Sequence, residues 1–389
     1  MTILRELARR QRALDLSQTR TYRGLLSYKE ARMAVSPFGF LRGSAKLFFE
    51  VLRQFPELGQ GPGGEGVVVG DLHMANFGAY EIDVGKEHRL VFGLNDFDEA
   101  EVAPHRFDVL RALTSIFLAR HELALSMRNA LGFGEAFLRG YLTPLPRRPP
   151  AVVTALLGRA AERSTDDLLS SRLTRRGSFR YGPRYQPLSG AILKTLPAVL
   201  ERFRLGLDPA TRPTADCFVP RAAAFRIAGT GSVGRFRMAV LCTGKRAPWL
   251  LDLKAQPSRG APAERDTGGS VSGAARVLDA VTRCLEGRPR LAGTSSIAGT
   301  SLYVRRLTPE EDKLDLAQLR RKDLAELFPY LGAITGIAHR RGQTSKGKLQ
   351  PWAPRAREKA LAQATELAAL HEGIFALWSA EAPPDDATA

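Results

Sequence analysis

The residues best suited to chemistry lie between Val67 and Ala100, in VVVGDLHMANFGAYEIDVGKEHRLVFGLNDFDEA. A β-branched run, Val67-Val68-Val69, breaks at Gly70 and delivers Asp71, His73 and Asn76 on a loop. A second apolar run, Leu90-Val91-Phe92, delivers Asp96, Phe97, Asp98 and Glu99 in the same way. A strand end fixes a side chain more rigidly than a free loop does, and clustered carboxylates repel unless a cation sits among them. Oxygen ligands of this kind suit magnesium. The pattern predicts two buried strands that end in a cation-holding site, with Asn76, Asp96 and Asp98 as metal ligands and Asp71 and His73 as catalytic groups. The plainer reading, that Gly-Asp and Asn-Asp are turn formers, covers either motif alone but not the pair.

A second constellation follows a run of strand-like segments. Ala222–Ile227 leads into Gly229-Thr-Gly231-Ser232-Val233-Gly234, Arg235–Cys242 alternates with period two, and Trp249–Lys254 reads as a third strand after the turn at Thr243–Arg246. In a dinucleotide-binding fold such glycines open a helix. Here a strand follows, so the loop is placed at the tip of a β-hairpin, where backbone N–H groups can approach phosphate oxygens. Gly229, Gly231, Ser232, Gly234 and Lys254 are the candidate nucleotide-binding residues, and a plain hairpin turn is the alternative.

The elements that position these groups belong to a 389-residue chain with 44% hydrophobic residues, enough for a large core in two lobes. Helices are predicted over Thr2–Leu16, Ser27–Met33, Ala45–Leu52, Val109–Met127, Ala151–Leu169 and Ser272–Glu286, and over most of Leu316–Trp378. Asp108 either caps the helix that follows it or braces the loop beneath. Arg42, in the turn Ser36-Pro-Phe-Gly-Phe-Leu-Arg42-Gly43, either stacks on an aromatic ring or reaches a phosphate. The basic and aromatic segment from Arg172 to Tyr185 reads as a solvated hairpin or an anion contact. His339 reads as a structural histidine.

The net charge of +17 invites a nucleic-acid partner, but the excess is arginine spread along the chain, with no nucleic-acid motif. No apolar run is long enough to span a membrane, and the N-terminus lacks a signal-peptide core. Three distant cysteines, Cys217, Cys242 and Cys284, suit a reducing cytoplasm.

The G-D-x-H-x-x-N loop followed by D-F-D resembles the catalytic segment of aminoglycoside and choline phosphotransferase-like kinases, in which an Asp and an Asn stand five apart. The resemblance implies a protein-kinase-like α+β fold with a mostly helical large lobe and a small antiparallel β lobe. It also asks for an acidic partner to Lys254 on the following helix, for which Asp279 is the candidate and Glu264 the alternative. The order of parts is rotated, since the catalytic loop precedes the glycine loop. Circular permutation allows this when the old ends lie close together. The large lobe would then begin in residues 1–215, the β lobe would occupy 216–310, and 311–389 would complete the large lobe. Taken in order, Ser36–Gly43, Gly70–Gly78, Asn95–Glu99, Gly231–Gly234 and Ile337-Ala-His339 are similar to the bacterial family called domain of unknown function 2252.

The expected activity is an ATP- and magnesium-dependent phosphotransferase acting on a small molecule or a protein. Asp71 would orient or deprotonate the acceptor hydroxyl, Asn76 and Asp96 would hold metal, and Lys254 would position phosphates. Nucleotidyl transfer could use the same residues. A catalytically silent nucleotide-binding module and a two-metal phosphoesterase are the alternatives, the latter needing further histidines near the metals.

Overall fold

The computed structural model describes residues 2–20, 24–85, 87–257, 272–344 and 351–381. Its first helices form where apolar side chains recur three and four residues apart. These are α1 (Thr2–Thr19) and α2 (Leu25–Met33), clamped together by a buried ion pair of 2.6 Å between Lys29 Nζ and Asp15 Oδ1. Ser36 caps α3 (Pro37–Gly43), its Oγ accepting from the Gly39 N–H at 2.9 Å, and Pro37 sits at the first helical position, where no hydrogen bond is lost. Next, α4 (Ala45–Gln54) buries Leu47, Phe48, Val51 and Leu52 on one face.

Two pairings then bring the acidic loops together. β1 (Glu65–Val68) runs into the loop that carries Asp71, and β2 (Phe77–Val84) leaves it. β3 (Glu87–Leu94) folds back on β2 with Phe77 opposite Leu94, and β4 (Glu101–Pro104) pairs with β1, Val68 opposite Glu101. The segments 69–76 and 95–100 are therefore held side by side at the root of a hairpin.

The predicted helix Val109–Met127 ends early, as α5 (His105–Leu118), and a second helix, α6 (Met127–Leu142), begins only where the predicted one stops. Ala124 adopts φ 50°, and Ser126 starts the second helix by accepting from the Asn129 N–H at 3.3 Å. A capping box between Ser164 and Asp167 divides the predicted Ala151–Leu169 helix into α7 (Ala151–Ala161) and α8 (Thr165–Ser170).

β5 (Tyr185–Gln186) and α9 (Gly190–Leu205) precede three consecutive antiparallel strands: β6 (Pro220–Arg226), β7 (Arg237–Cys242) and β8 (Trp249–Ala255). Ser272 caps α10 (Gly273–Cys284), and β9 (Arg288–Pro289), β10 (Gly293–Ile297) and β11 (Thr300–Leu307) follow. One antiparallel sheet has the order β10-β11-β8-β7-β6-β5, while β9 extends the β3-β2 hairpin. The Arg172–Tyr185 segment folds back on itself as a small hairpin with Arg175, Arg176 and Arg180 exposed, the Arg180 N–H donating to the Arg172 carbonyl at 2.9 Å. It buries Phe179 and Tyr185 against the larger sheet and contains one isolated bridge, Leu173 to Phe179.

Two long helices, α11 (Arg321–Gly342) and α12 (Pro354–Ala380), complete the fold, which is mixed α+β with antiparallel sheets. The largest apolar cluster joins α1, α3 to α6 and α10 to α12, and a smaller one packs α9 on the six-stranded sheet. Helix α11 lies so near α6 that a Cβ at Gly332 would stand 2.0 Å from the Phe137 carbonyl oxygen. Past its end, the Thr344 N–H donates to the Glu65 carbonyl at 3.2 Å, and Gln343 bridges Gly66. The chain thus returns after α11 to the start of the strand that feeds Asp71. Among the described residues, no helix is long and apolar enough to cross a membrane.

Candidate active site

The loop that carries Asp71 is held from below by one buried carboxylate. Asp108, in the first turn of α5, accepts from the Val69 N–H at 2.6 Å and the Gly70 N–H at 2.9 Å. Of the two roles open to it, bracing is the one formed, since α5 has no side-chain cap. His339 of α11 meets Asp108 Oδ2 through Nε2 at 3.0 Å, and its Nδ1 meets the Tyr141 hydroxyl at 3.1 Å. Both ring nitrogens are engaged in a buried chain, which makes His339 structural. Gly70 has φ 80°, and a Cβ there would lie 2.1 Å from the Glu99 carbonyl oxygen, so only glycine lets the two acidic loops approach this closely.

Asp71 leaves this platform toward a cavity. Arg111, fully buried on α5, donates from Nε to Asp71 Oδ1 at 3.0 Å, while its Nη2 reaches the same oxygen and the Leu41 carbonyl. Burial pushes the Asp71 carboxyl up to about 6, Arg111 opposes the rise, and the charges of Asp96 and Glu99 add to it. A carboxylate in that range, 21% exposed, is suited to take a proton near neutral pH.

Asn76 joins the two acidic loops. Its Nδ2 donates to the carbonyls of Asp71 and Asp96, both at 3.2 Å, which turns Oδ1 the other way, buried and without a partner. An orphaned amide oxygen and the Asp96 side chain on the lining of one cavity suit a hard divalent cation. No group of three His, Cys, Asp or Glu side chains that could hold a metal occurs among the described residues. Magnesium commonly binds through one or two carboxylates with waters and substrate phosphates, so the sparse set of Asn76 and Asp96 is compatible with it. Asp98 does not join that set. Its Oδ2 pairs with Lys254, and its Oδ1 accepts from Gln256 Nε2 at 2.7 Å.

Lys254 lies buried on β8, opposite Arg237 of β7 and Tyr303 of β11. Burial lowers its pKa, against the pull of Asp96. Its acidic partner is Asp98, from the loop that follows β3, and not Asp279. Asp279 sits on the outer face of α10 with its side chain 62% exposed, and it pairs with Arg283. The apolar stripe of α10 (Val277, Ala280, Val281) takes the inner face, which leaves Asp279 outside. The alternative partner, Glu264, lies outside the described residues.

The glycine loop does join two strands, β6 and β7, as its flanks predict. It is anchored by Arg32 Nε, which donates to Thr230 Oγ1 at 3.1 Å. Gly231 covers the site directly: a Cβ there would lie 3.0 Å from the Arg42 carbonyl oxygen and 3.9 Å from Asp71 Oδ2.

Two cavities meet beneath this loop. The larger, about 450 Å³, lies between the six-stranded sheet and the β2-β3 hairpin and holds Lys254 and Arg237. The smaller, about 90 Å³, is walled by α1 and α3 and holds Asp71, His73, Asn76 and Arg42. Asp96, Asp98, Gly229, Ser232 and Lys313 line both. His73 accepts from the Ala75 N–H through Nδ1 at 3.2 Å and packs edge-on against Phe38. Burial, with Arg42, Arg111 and Lys313 nearby, holds its pKa well below the usual imidazole range, so the ring is neutral. His73 therefore shapes the loop and lines the cavity without serving as a charged acid.

Sequence reading overlooked Arg111, Gln256, Lys313 and the Arg235–Glu99 pair, all of which touch these cavities or their lining groups. Arg111 was detectable in principle, since an arginine inside an otherwise apolar helical stretch requires a buried partner.

The family described as an uncharacterized protein conserved in bacteria, DUF2252, matches residues 22–149 and 145–373, and the chain belongs to it. Neither the curated proteins nor the solved structures yielded a match.

Proposed function

We propose that this protein is a magnesium- and nucleotide-dependent phosphotransferase with a circularly permuted, two-lobed kinase-like arrangement. The observation that carries the reading is the convergence of two separate segments, 71–98 and 229–254, on one cleft. An Asp, an Asn with an orphaned oxygen, a second Asp, a glycine loop and a buried lysine meet there in complementary positions. The hydrogen bond from Thr344 to Glu65 supports the rotated order, because it places the end of α11 at the strand that leads to Asp71.

In this reading the larger cavity takes the nucleotide and the smaller one the acceptor hydroxyl. Magnesium held by Asn76 and Asp96 would neutralise phosphate charge. Asp71, fixed by Arg111, accepts the acceptor proton, and the backbone of Gly229–Gly234 covers the phosphates. Lys254 exchanges part of its Asp98 pairing for a phosphate oxygen. Catalysis is then mostly positioning and charge stabilisation. The test compares Asp71→Ala with wild type in magnesium-dependent release of phosphate from ATP and in stabilisation by ATP. Turnover should vanish while binding persists. Unchanged turnover would remove Asp71 from the reaction.

A further inference from the structure

Arg42 lies in the last turn of α3, at the wall of the smaller cavity. It follows Leu41, whose carbonyl is held by Arg111, and its guanidinium lies 5.6 Å over the Phe38 ring, which fixes its direction. It lines the cavity with Asp71, Asn76, Asp96 and Gly231. Among the described residues its guanidinium makes no hydrogen bond or ion pair, although the nearby Arg111, Arg235 and Lys254 each have a carboxylate. Its surroundings hold both signs, with Glu122 and Asp71 attracting it short of a direct ion pair. Arg32 and Lys313 lie close enough to act on it or be acted on, and burial and Arg32 lower its pKa. A guanidinium that lines the cavity beside Asp71 and Asp96 without pairing to either keeps its donors available to the oxygens of a ligand.

Resting on the phosphotransferase reading above, we infer that Arg42 is a catalytic residue that clamps the phosphoryl group in flight, its guanidinium donating to the equatorial oxygens as charge develops. In that step the bond from phosphorus to the leaving nucleoside-diphosphate oxygen breaks and the bond to the acceptor oxygen forms. The acceptor proton passes to the Asp71 carboxylate. An arginine supplied in this way is worth about 10³- to 10⁵-fold in kcat in other phosphoryl-transfer enzymes. The position fits, because the covering loop packs at Gly231 against the Arg42 backbone and beside Asp71.

The experiment needs no known acceptor. Binding of Mg·ADP, with and without fluoroaluminate as a mimic of the transferring group, is measured by calorimetry for wild type, Arg42→Met and Arg42→Lys. Methionine preserves the apolar stem over Phe38, and lysine preserves the charge but not the planar fork. Wild type should bind the fluoroaluminate complex far more tightly than Mg·ADP alone. Arg42→Met should lose at least about 30-fold of that gain, as a partial expression of the arginine effect. Arg42→Lys should lie between, and the affinity of all three for Mg·ADP should agree within about twofold. Retention of the full gain in Arg42→Met overturns the proposal, as does a wild type that binds Mg·ADP with no gain from fluoroaluminate. Failure of wild type to bind Mg·ADP at all overturns the nucleotide reading itself, and the proposal with it.

Discussion

Asp108→Asn is the substitution whose cost follows most directly from the geometry. The carboxylate serves three groups: the Val69 N–H at 2.6 Å, the Gly70 N–H at 2.9 Å and His339 Nε2 at 3.0 Å. Asparagine keeps the shape but has one acceptor oxygen, so its NH₂ must face either a backbone N–H or the imidazole. A hydrogen bond to a charged group contributes about 1.5–3 kcal/mol, and an orphaned buried donor costs about 1–3 kcal/mol. Losing one bond, weakening another and stranding one N–H sums to about 3–5 kcal/mol, with no water able to compensate because Asp108 is 1% exposed. Guanidinium denaturation followed by circular dichroism measures this as a lower midpoint at constant m-value. The same change loosens Val69 and Gly70, the residues that aim Asp71. A shift below about 1 kcal/mol would refute the claim that one carboxylate supports the loop, because the expected loss of charge-assisted bonds alone exceeds it.

Other expectations rest on separate contacts. Lys29→Met strands buried Asp15 and should cost about 3–5 kcal/mol in the same denaturation assay, since breaking one side of a buried pair leaves a charge uncompensated. Asp98→Ala should destabilise by a similar amount of about 3–5 kcal/mol by orphaning Lys254, whereas Asp279→Ala should change stability by less than about 0.5 kcal/mol; the reverse ranking would restore Asp279 as the partner of the lysine. In pH–rate profiles of magnesium-dependent ATP hydrolysis, activity should fall as pH drops through about 6, where Asp71 takes a proton. Arg111 holds that value down, so Arg111→Met should move the acid limb to higher pH; an unmoved limb would show that another group titrates.

The parts of this protein that were legible in its sequence are those set by local pattern. Alternation after Gly234 placed the glycine loop on a hairpin, and the breaks at Gly70 and after Leu94 placed the acidic residues at strand ends. Helix boundaries failed where periodicity does not mark the break: α5 stops at Leu118 although its apolar pattern runs on toward Met127, and the capped Ser164 starts a new helix inside the predicted Ala151–Leu169 span. Partner choice was the least legible. Asp279 has the right type on the right helix, but the direction of a helical side chain depends on which face tertiary packing buries, and that face belongs to Val277 and Val281. Asp98 read as a third metal ligand because spacing shows proximity to Asp96 but not that Lys254 and Gln256 occupy its two oxygens. Arg111 pairs with Asp71 across forty positions of sequence, a relation that no local pattern encodes.

The central claim, a nucleotide site completed by magnesium on Asn76 and Asp96, is tested most directly by thermal stability. Melting is followed with ATP, GTP or ADP, each with and without magnesium, for wild type and Asp96→Asn. A nucleotide at a hundred times its dissociation constant stabilises by about 2.7 kcal/mol, a shift of a few degrees in a chain of this size. The account expects a magnesium-dependent shift in wild type that Asp96→Asn abolishes. Absence of a shift with every nucleotide, or a shift that Asp96→Asn leaves intact, would contradict it.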